Sequence, residues 1–419
     1  MASFAAEKQT VFQSELSANG VTTIPGTIAS LRELRQLGVR TALVTSSRNG
    51  PAIETAAGVT GLLDERPDGN DLKELGLEGK PSPALFLEAC RRLALDPASV
   101  AVVEDADSIH YPGTYFAGVY NTVTTERNGI TAERESMVNS PNWLPLWFRI
   151  DGGDWFSPAQ ATLLDFRQEL DLRSAVLTRD LRFRDGAGRI TRVRSRRLLS
   201  QASVHTAFVE TTIEPENWSG AITVRSAIDG RVTNRAEEGS ALLERRHLTA
   251  RKTVELDDES ILLEMETIRS GIHIAMAART RAFEGADQLS PTRSLLVDEM
   301  GWVAHELEVS ATVGCSVRIE KVVVVHTSRD RAIASPAEAA QTLLGRMPGA
   351  DALLAAHERA WQILWDEFRV TMDSGARQSL ALNLNTFHIL QTLASVTADL
   401  DAGIPARGLH GEGYGGHVF

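Results

Sequence analysis

Three short stretches in the first quarter of the chain carry residue types suited to phosphate chemistry. Thr45 follows the apolar run TALV and opens the polar turn TSSRNG, Lys80 sits in GKPSPALF, and Glu104-Asp105 follows a second apolar run, VAVV. If both runs are strands of one α/β sheet, these groups meet at the carboxyl ends of the strands. There a hydroxyl and a turn of backbone hold a phosphate, the Lys80 ammonium neutralises its charge, and two carboxylates hold a hard cation such as Mg²⁺. A second constellation lies in the closing loop ARGLHGEGYGGHVF, where Arg407, Glu412, Tyr414, His417 and Phe419 are interleaved with five glycines. Glycine lets backbone approach a ligand closely while the polar side chains read hydroxyl groups.

The elements that must position these residues change character along the chain. Ile28, Leu31, Leu34 and Leu37 recur at three-residue steps, which predicts a helix over 26–37 that Gly38 ends. TALV, a helix over 82–94 and VAVV follow, giving the strand, turn, helix, strand order of a parallel sheet. From about 110 to 330 short runs alternate with a period of two, as in ITRVRSRRLL, HTAFVETTI and VRIEKVVVVHT, and turn signals such as DGAG separate them. That pattern predicts an antiparallel β-sandwich of fifteen or more strands. After Pro336 the apolar spacing becomes helical. Trp361 and Trp365, four apart, share one helix face and read as packing residues, as do Phe387 and His388. His326 and Asp330, in HTSRD after four valines, read as a polar strand exit.

Composition narrows the classes of partner. The 419 residues are 43% hydrophobic, which suits globular cores. A formal charge of -12, from 43 Lys+Arg against 55 Asp+Glu, argues against nucleic acid and anionic membranes as partners. Cys90 and Cys315 fall in different predicted domains, so neither a disulfide framework nor a cysteine-rich metal site is expected. The polar opening MASFAAEKQTVFQSEL has no signal-peptide core, and no run reaches membrane-spanning length, so the expectation is a cytoplasmic protein.

VTSSRNG, GKPSPALF and VVED, in this order, resemble the second, third and fourth motifs of the haloacid dehalogenase superfamily, in particular its β-phosphoglucomutase-like members. The resemblance covers about 100 residues and implies that Thr45, Ser46, Ser47, Arg48, Asn49 and Lys80 bind phosphate and that Glu104 and Asp105 bind Mg²⁺. It also implies an Asp-x-Asp nucleophile on an earlier strand, which residues 1–106 do not contain. Asp399-Leu400-Asp401 has the right letters but follows a helix, without a preceding apolar strand. This half is therefore read as a shortened domain that begins inside the cap and has no phosphoenzyme chemistry of its own.

The remainder resembles family 65 of the glycoside hydrolases, which holds maltose, trehalose and kojibiose phosphorylases. HYPGTYFAGVYN, NSPNWLPLWFRIDG, LDFRQELDLRSAVLTRDLRFRDGAGR, EKVVVVHTSRD, HERAWQILWDEF and IPARGLHGEGYGGHVF carry the likeness. It implies a multidomain α+β chain: a partial Rossmann-like α/β unit (1–106), a β super-sandwich (107–332), linker helices (333–372) and the first helices of an (α/α)6 barrel (373–419). It implies a phosphorylase or a hydrolase that inverts at the anomeric carbon, with a Glu as proton donor and either inorganic phosphate as co-substrate or a water activated by a second carboxylate. Arg407, Glu412, Tyr414, His417 and Phe419 would line the sugar site, while the proton donor is placed downstream of Phe419. An α-glucoside disaccharide or a glucose phosphate is the expected partner, with a homodimer by family analogy. A sugar-phosphate mutase or phosphatase, and a noncatalytic deletion product, are the alternative readings.

Overall fold

The computed structural model of the chain describes residues 12, 16, 20–21, 25–36, 38–45, 47–77, 84–96, 113–127, 130–158, 161–234, 246–298, 301–371 and 376–391. The chain divides into two compact units, Met1–His110 and Tyr111–Phe419.

In the first unit, α1 (Pro25–Gln36) ends where Gly38 takes a φ of 73°. The Gly38 amide donates to Arg35 O at 3.1 Å and the Val39 amide to Leu34 O at 2.9 Å, which closes the helix through a left-handed residue that glycine adopts without a Cβ clash. The TALV segment is extended, but it forms a single parallel bridge, Ala42 to Glu65, rather than the full strand its apolar run predicts. Hydrogen bonds from the amides of Leu43 to Glu65 O and Thr45 to Pro67 O continue the pairing along one edge. Three short helices follow, α2 (Gly50–Ala56), α3 (Gly69–Glu74) and α4 (Ala84–Arg92). Asp68 and Asp71 cap α3 reciprocally, each carboxylate accepting from a backbone amide that the helix end would leave unpaired. VAVV lies outside the described residues.

The second unit begins with a hairpin, β1 (Tyr120–Arg127) and β2 (Ile130–Met137), followed by β3 (Leu146–Ile150), β4 (Thr162–Asp171), β5 (Val176–Arg184) and β6 (Ile190–Leu199). Next come β7 (Thr206–Pro215), β8 (Gly220–Asp229), β9 (Leu248–Asp257), β10 (Ser260–Thr267), β11 (His273–Glu284) and β12 (Asp287–Gln288). β13 (Thr292–Asp298), β14 (Trp302–Ala311) and β15 (Val317–Thr327) complete the strands among the described residues. A nine-stranded sheet runs β4-β5-β6-β7-β15-β11-β10-β9 with β12 beside β11, and a four-stranded sheet runs β13-β14-β8-β3. Ile228 and Val303 of the small sheet meet Val209, Ile261, Leu263, Ile274 and Val323 of the large one, and Phe148, Val224 and Leu307 meet Phe183, Ile213 and Ile319. All named pairings are antiparallel, as the two-residue alternation predicts.

The four valines of β15 depart from alternation because this strand is covered on both faces. Val323 faces the small sheet, while Val322 and Val324 pack with Phe208 against Ala337, Ala340 and Leu344 of α5 (Pro336–Arg346). A strand buried on both sides gains from apolar residues at every position. At the edge of the same sheet, β4 exposes nearly its whole length and carries Asp165, Arg167, Gln168 and Glu169, which discourages pairing with another chain. Lys321 interrupts the apolar interior: fully buried, it donates from Nζ to Ala227 O at 2.7 Å and to Pro145 O at 3.0 Å, and so bolts the two sheets together. Burial pushes its ammonium down to about 7.

Pro336 starts α5 with Ser335 accepting from the Glu338 amide, an arrangement that satisfies a helix-end donor and tolerates the missing proline N–H. α6 (Ala350–Phe368) presents Leu353, His357, Trp361 and Trp365 on one buried face. The Trp361 ring stacks on Phe387 of α7 (Ala376–Leu390) with centroids 5.2 Å apart, and the Trp365 indole donates to Leu172 O at 2.8 Å. The tryptophans and Phe387 are packing residues, as expected. His388 is a correction: it points outward and bonds Gln391, because only one position of that adjacent pair can face the core.

Candidate functional site

The turn after TALV is built from nested hydroxyl contacts. Thr45 Oγ1 accepts from the Ser47 amide at 3.1 Å, and Ser47 Oγ accepts from the Asn49 amide at 3.1 Å. Ser47 O accepts from the Gly69 amide, and Arg48 O from Asn70 Nδ2, so the turn is clasped by the capped start of α3. Gly50 packs closely here: a Cβ would meet Thr45 Cγ2 at 3.2 Å and Asp68 Cβ at 3.4 Å, so a larger residue would make these neighbours shift by a few tenths of an ångström. Among the described residues neither hydroxyl donates, which leaves both O–H groups free of these partners to face an anion next to the exposed Arg48. Thr45, Ser47, Arg48 and Asn49 are therefore gathered in one turn. Ser46, Lys80, Glu104 and Asp105 lie outside the described residues, as do Arg407, Glu412, Tyr414, His417 and Phe419 of the closing loop.

A groove beside α5 is lined by Asp257, Asp258, Glu259, Arg279, Arg281 and Arg293. Its charges are largely committed: Arg281 Nε bonds Glu259 at 2.5 Å, and Arg279 Nη2 donates to Met347 O at 3.0 Å, just past the end of α5. This wall reads as structural.

The exit of β15 is more unusual. Asp330 Oδ2 accepts from the Thr327 amide at 2.9 Å and lies 2.8 Å from His326 Nδ1, the polar strand exit expected from HTSRD. The structure adds His205, which sequence reasoning passed over. Its ring stacks on His326 with centroids 4.0 Å apart, and its Nδ1 lies 3.0 Å from Val325 O and 3.7 Å from Asp330 Oδ2. Burial pushes the His205 pKa down and the neighbouring His326 adds to the effect. Burial opposes ionisation of Asp330 too, but the hydrogen bonds from His326 and the Thr327 amide hold its carboxyl below the usual range. The only sequence signal for His205 is its place directly before the strand TAFVETTIEP; that this strand neighbours β15 is a long-range fact of topology.

The second unit is thus a two-sheet antiparallel sandwich with α5 packed on the outer face of its large sheet. The family model for the glycosyl hydrolase family 65 N-terminal domain matches residues 92–364, and the chain belongs to that family. The family 65 central catalytic domain matches at 383–419, and the haloacid dehalogenase-like hydrolase model matches 4–112. An uncharacterized glycosyl hydrolase of Mycobacterium tuberculosis is 43% identical over 317 residues, 75% of this chain and 24% of that protein. The kojibiose phosphorylase of Thermoanaerobacter brockii is 27% identical over 73% of this chain and 39% of its own length. A solved structure assigned to a kojibiose phosphorylase from the human microbiome superposes with a TM-score of 0.63 at 19% identity, over 73% of this chain and 39% of that one, and supports the fold. The chain thus spans between about a quarter and two fifths of the length of these relatives. Among the described residues no helix is long and apolar enough to cross a membrane.

Proposed function

We propose that this chain supplies the scaffold and the sugar-facing loop of a family 65 phosphorylase acting on an α-glucoside disaccharide. In that reaction the glycosidic C–O bond breaks, inorganic phosphate attacks the anomeric carbon from the opposite face, and a Glu protonates the leaving oxygen. The carrying observation is the family 65 N-terminal match across 92–364, coincident with the two-sheet sandwich. In this reading Arg407, Glu412, Tyr414, His417 and Phe419 contact the glucosyl unit, and none of the 419 residues is the proton donor. A chimera tests it: residues 1–419 are continued, from the 383–419 match onward, with the catalytic domain of the Thermoanaerobacter brockii enzyme. Phosphate-dependent release of β-glucose 1-phosphate from kojibiose, trehalose or maltose is expected. A chimera that folds by circular dichroism but is silent with all three sinks the reading.

A second reading rests on the haloacid dehalogenase-like match and the nested turn at 45–49. Thr45, Ser46, Ser47, Arg48, Asn49 and Lys80 would cradle a sugar phosphate, with Mg²⁺ at Glu104 and Asp105. Placed on one chain with a phosphorylase, such a unit would receive the β-glucose 1-phosphate that phosphorolysis releases. Protection of the 45–49 amides from hydrogen exchange by glucose 1-phosphate with Mg²⁺ supports it; unchanged exchange at saturating ligand removes it.

A further inference from the structure

The geometry points to a divalent transition-metal site formed by His205, His326 and Asp330 at the exit of β15, distinct from the sugar and phosphate residues considered above. One donor atom from each of these side chains lies within 4.8 Å of the other two. The sides that involve Asp330 Oδ2 are 2.8 Å to His326 Nδ1 and 3.7 Å to His205 Nδ1. A triangle of these dimensions admits one ion at bond lengths of about 2.0–2.2 Å after small side-chain shifts. Val325 O lies 3.0 Å from His205 Nδ1, at one corner of this triangle.

The frame is stiff, because His205 and His326 flank one inter-strand pairing. The Val325 amide donates to His205 O at 2.9 Å, and Val324 stands opposite Thr206 in the ladder between β15 and β7. Asp330 is fixed by a turn in which its amide donates to Thr327 O at 3.0 Å while its carboxylate accepts from the Thr327 amide. The three side chains are 23%, 10% and 18% exposed, which leaves an entry path and still excludes most water. Two imidazoles with one carboxylate favour Zn²⁺, Co²⁺ or Ni²⁺ over Mg²⁺ and Ca²⁺, which prefer oxygen ligands.

Binding exchanges protons for the ion. The Nδ1 proton of each imidazole is released to solvent or moved to its Nε2, and both Nδ1 lone pairs then face the metal. A bound ion would tie the end of the sandwich to residues 328–335, the segment that leads into α5, and would act as a structural brace.

The full 419-residue chain, stripped with chelator, is titrated with ZnCl₂ by calorimetry and with CoCl₂ by visible absorption. One equivalent of Zn²⁺ is expected to bind, with Co²⁺ showing ligand-field bands of a nitrogen-rich site and Mg²⁺ giving no response. His205→Gln and His326→Gln each keep a hydrogen-bonding side chain and are expected to weaken binding about tenfold or more. Their metal-free melting curves serve as the check on folding, and saturating Zn²⁺ should raise the melting temperature of the parent chain only. The absence of a one-equivalent event overturns the assignment. So does an event that survives both substitutions, which would place the ion at another histidine, such as His273 beside Glu264.

Discussion

Lys321 offers a quantitative test of the sandwich interior. Its ammonium is held between the sheets by two carbonyl oxygens and no carboxylate, and burial lowers it from 10.5 to about 7. Between those values the unfolded chain carries a proton that the folded chain lacks, so stability rises with pH across the window and is lost as pH falls towards 7. Each pH unit inside it contributes about 1.4 kcal/mol, so from pH 7.5 to 9.5 the gain is about 3 kcal/mol. Lys321→Met keeps the volume and removes the titration, although it takes the Nζ donor away from Ala227 O, at about 1–3 kcal/mol, while Pro145 O still accepts from the Ala227 amide. The assay is urea unfolding followed by tryptophan fluorescence. All seven tryptophans (143, 147, 155, 218, 302, 361 and 365) belong to the second unit, so the signal reports on that unit alone. The stability difference between parent and Lys321→Met chains should widen with pH in favour of the parent. Two curves that stay parallel from pH 7.5 to 9.5 would refute the claim that folding buries a titrating amine.

Other substitutions address the remaining interfaces. Trp361, 2% exposed and stacked on Phe387, should cost about 3–5 kcal/mol when replaced by Ala, read as a loss of the helical layer in chemical unfolding. Gly301 has a φ of 98° and a Cβ there would meet Met265 Sδ at 2.8 Å, so Gly301→Ala should lower stability by about 2 kcal/mol or more, measured by thermal melting. His357 is fully buried; its Nδ1 accepts from the Gln201 amide and its Nε2 donates to Ser174 O, which requires the neutral ring. Burial lowers its pKa, so its contribution is complete above about pH 6.5 and is lost as pH falls through the lower folded value. His357→Gln should flatten the acid limb of the stability curve, and an unchanged limb counts against the assigned tautomer.

Local pattern carried most of the architecture. ITRVRSRRLL alternates at its start because Thr191 and Val193 are buried between partly exposed neighbours, whereas the start of HTAFVETTI is buried on both faces, with Phe208 under α5, and α6 is legible because Trp361 and Trp365 recur at one helical turn. What local pattern cannot express is which strands become neighbours. β7 and β15 are separated by more than a hundred residues, so nothing in the spacing predicts that His205 stacks on His326. Lys321 stayed hidden for a related reason: a lysine beside four valines reads as the edge of a strand until the second sheet is laid over it. The nested turn at Thr45 was readable because hydroxyl and amide residues after an apolar run have few other uses. Its partners Lys80, Glu104 and Asp105, like the sugar-facing loop, remain expectations of resemblance.

The most direct test of the central claim, that these residues provide a family 65 scaffold without its proton donor, is an assay of the purified 419-residue chain itself. Incubated with phosphate and kojibiose, trehalose or maltose, it should release no β-glucose 1-phosphate above a protein-free blank. Sustained release that disappears in Glu412→Gln, with folding intact, would contradict the account by locating the acid inside the chain.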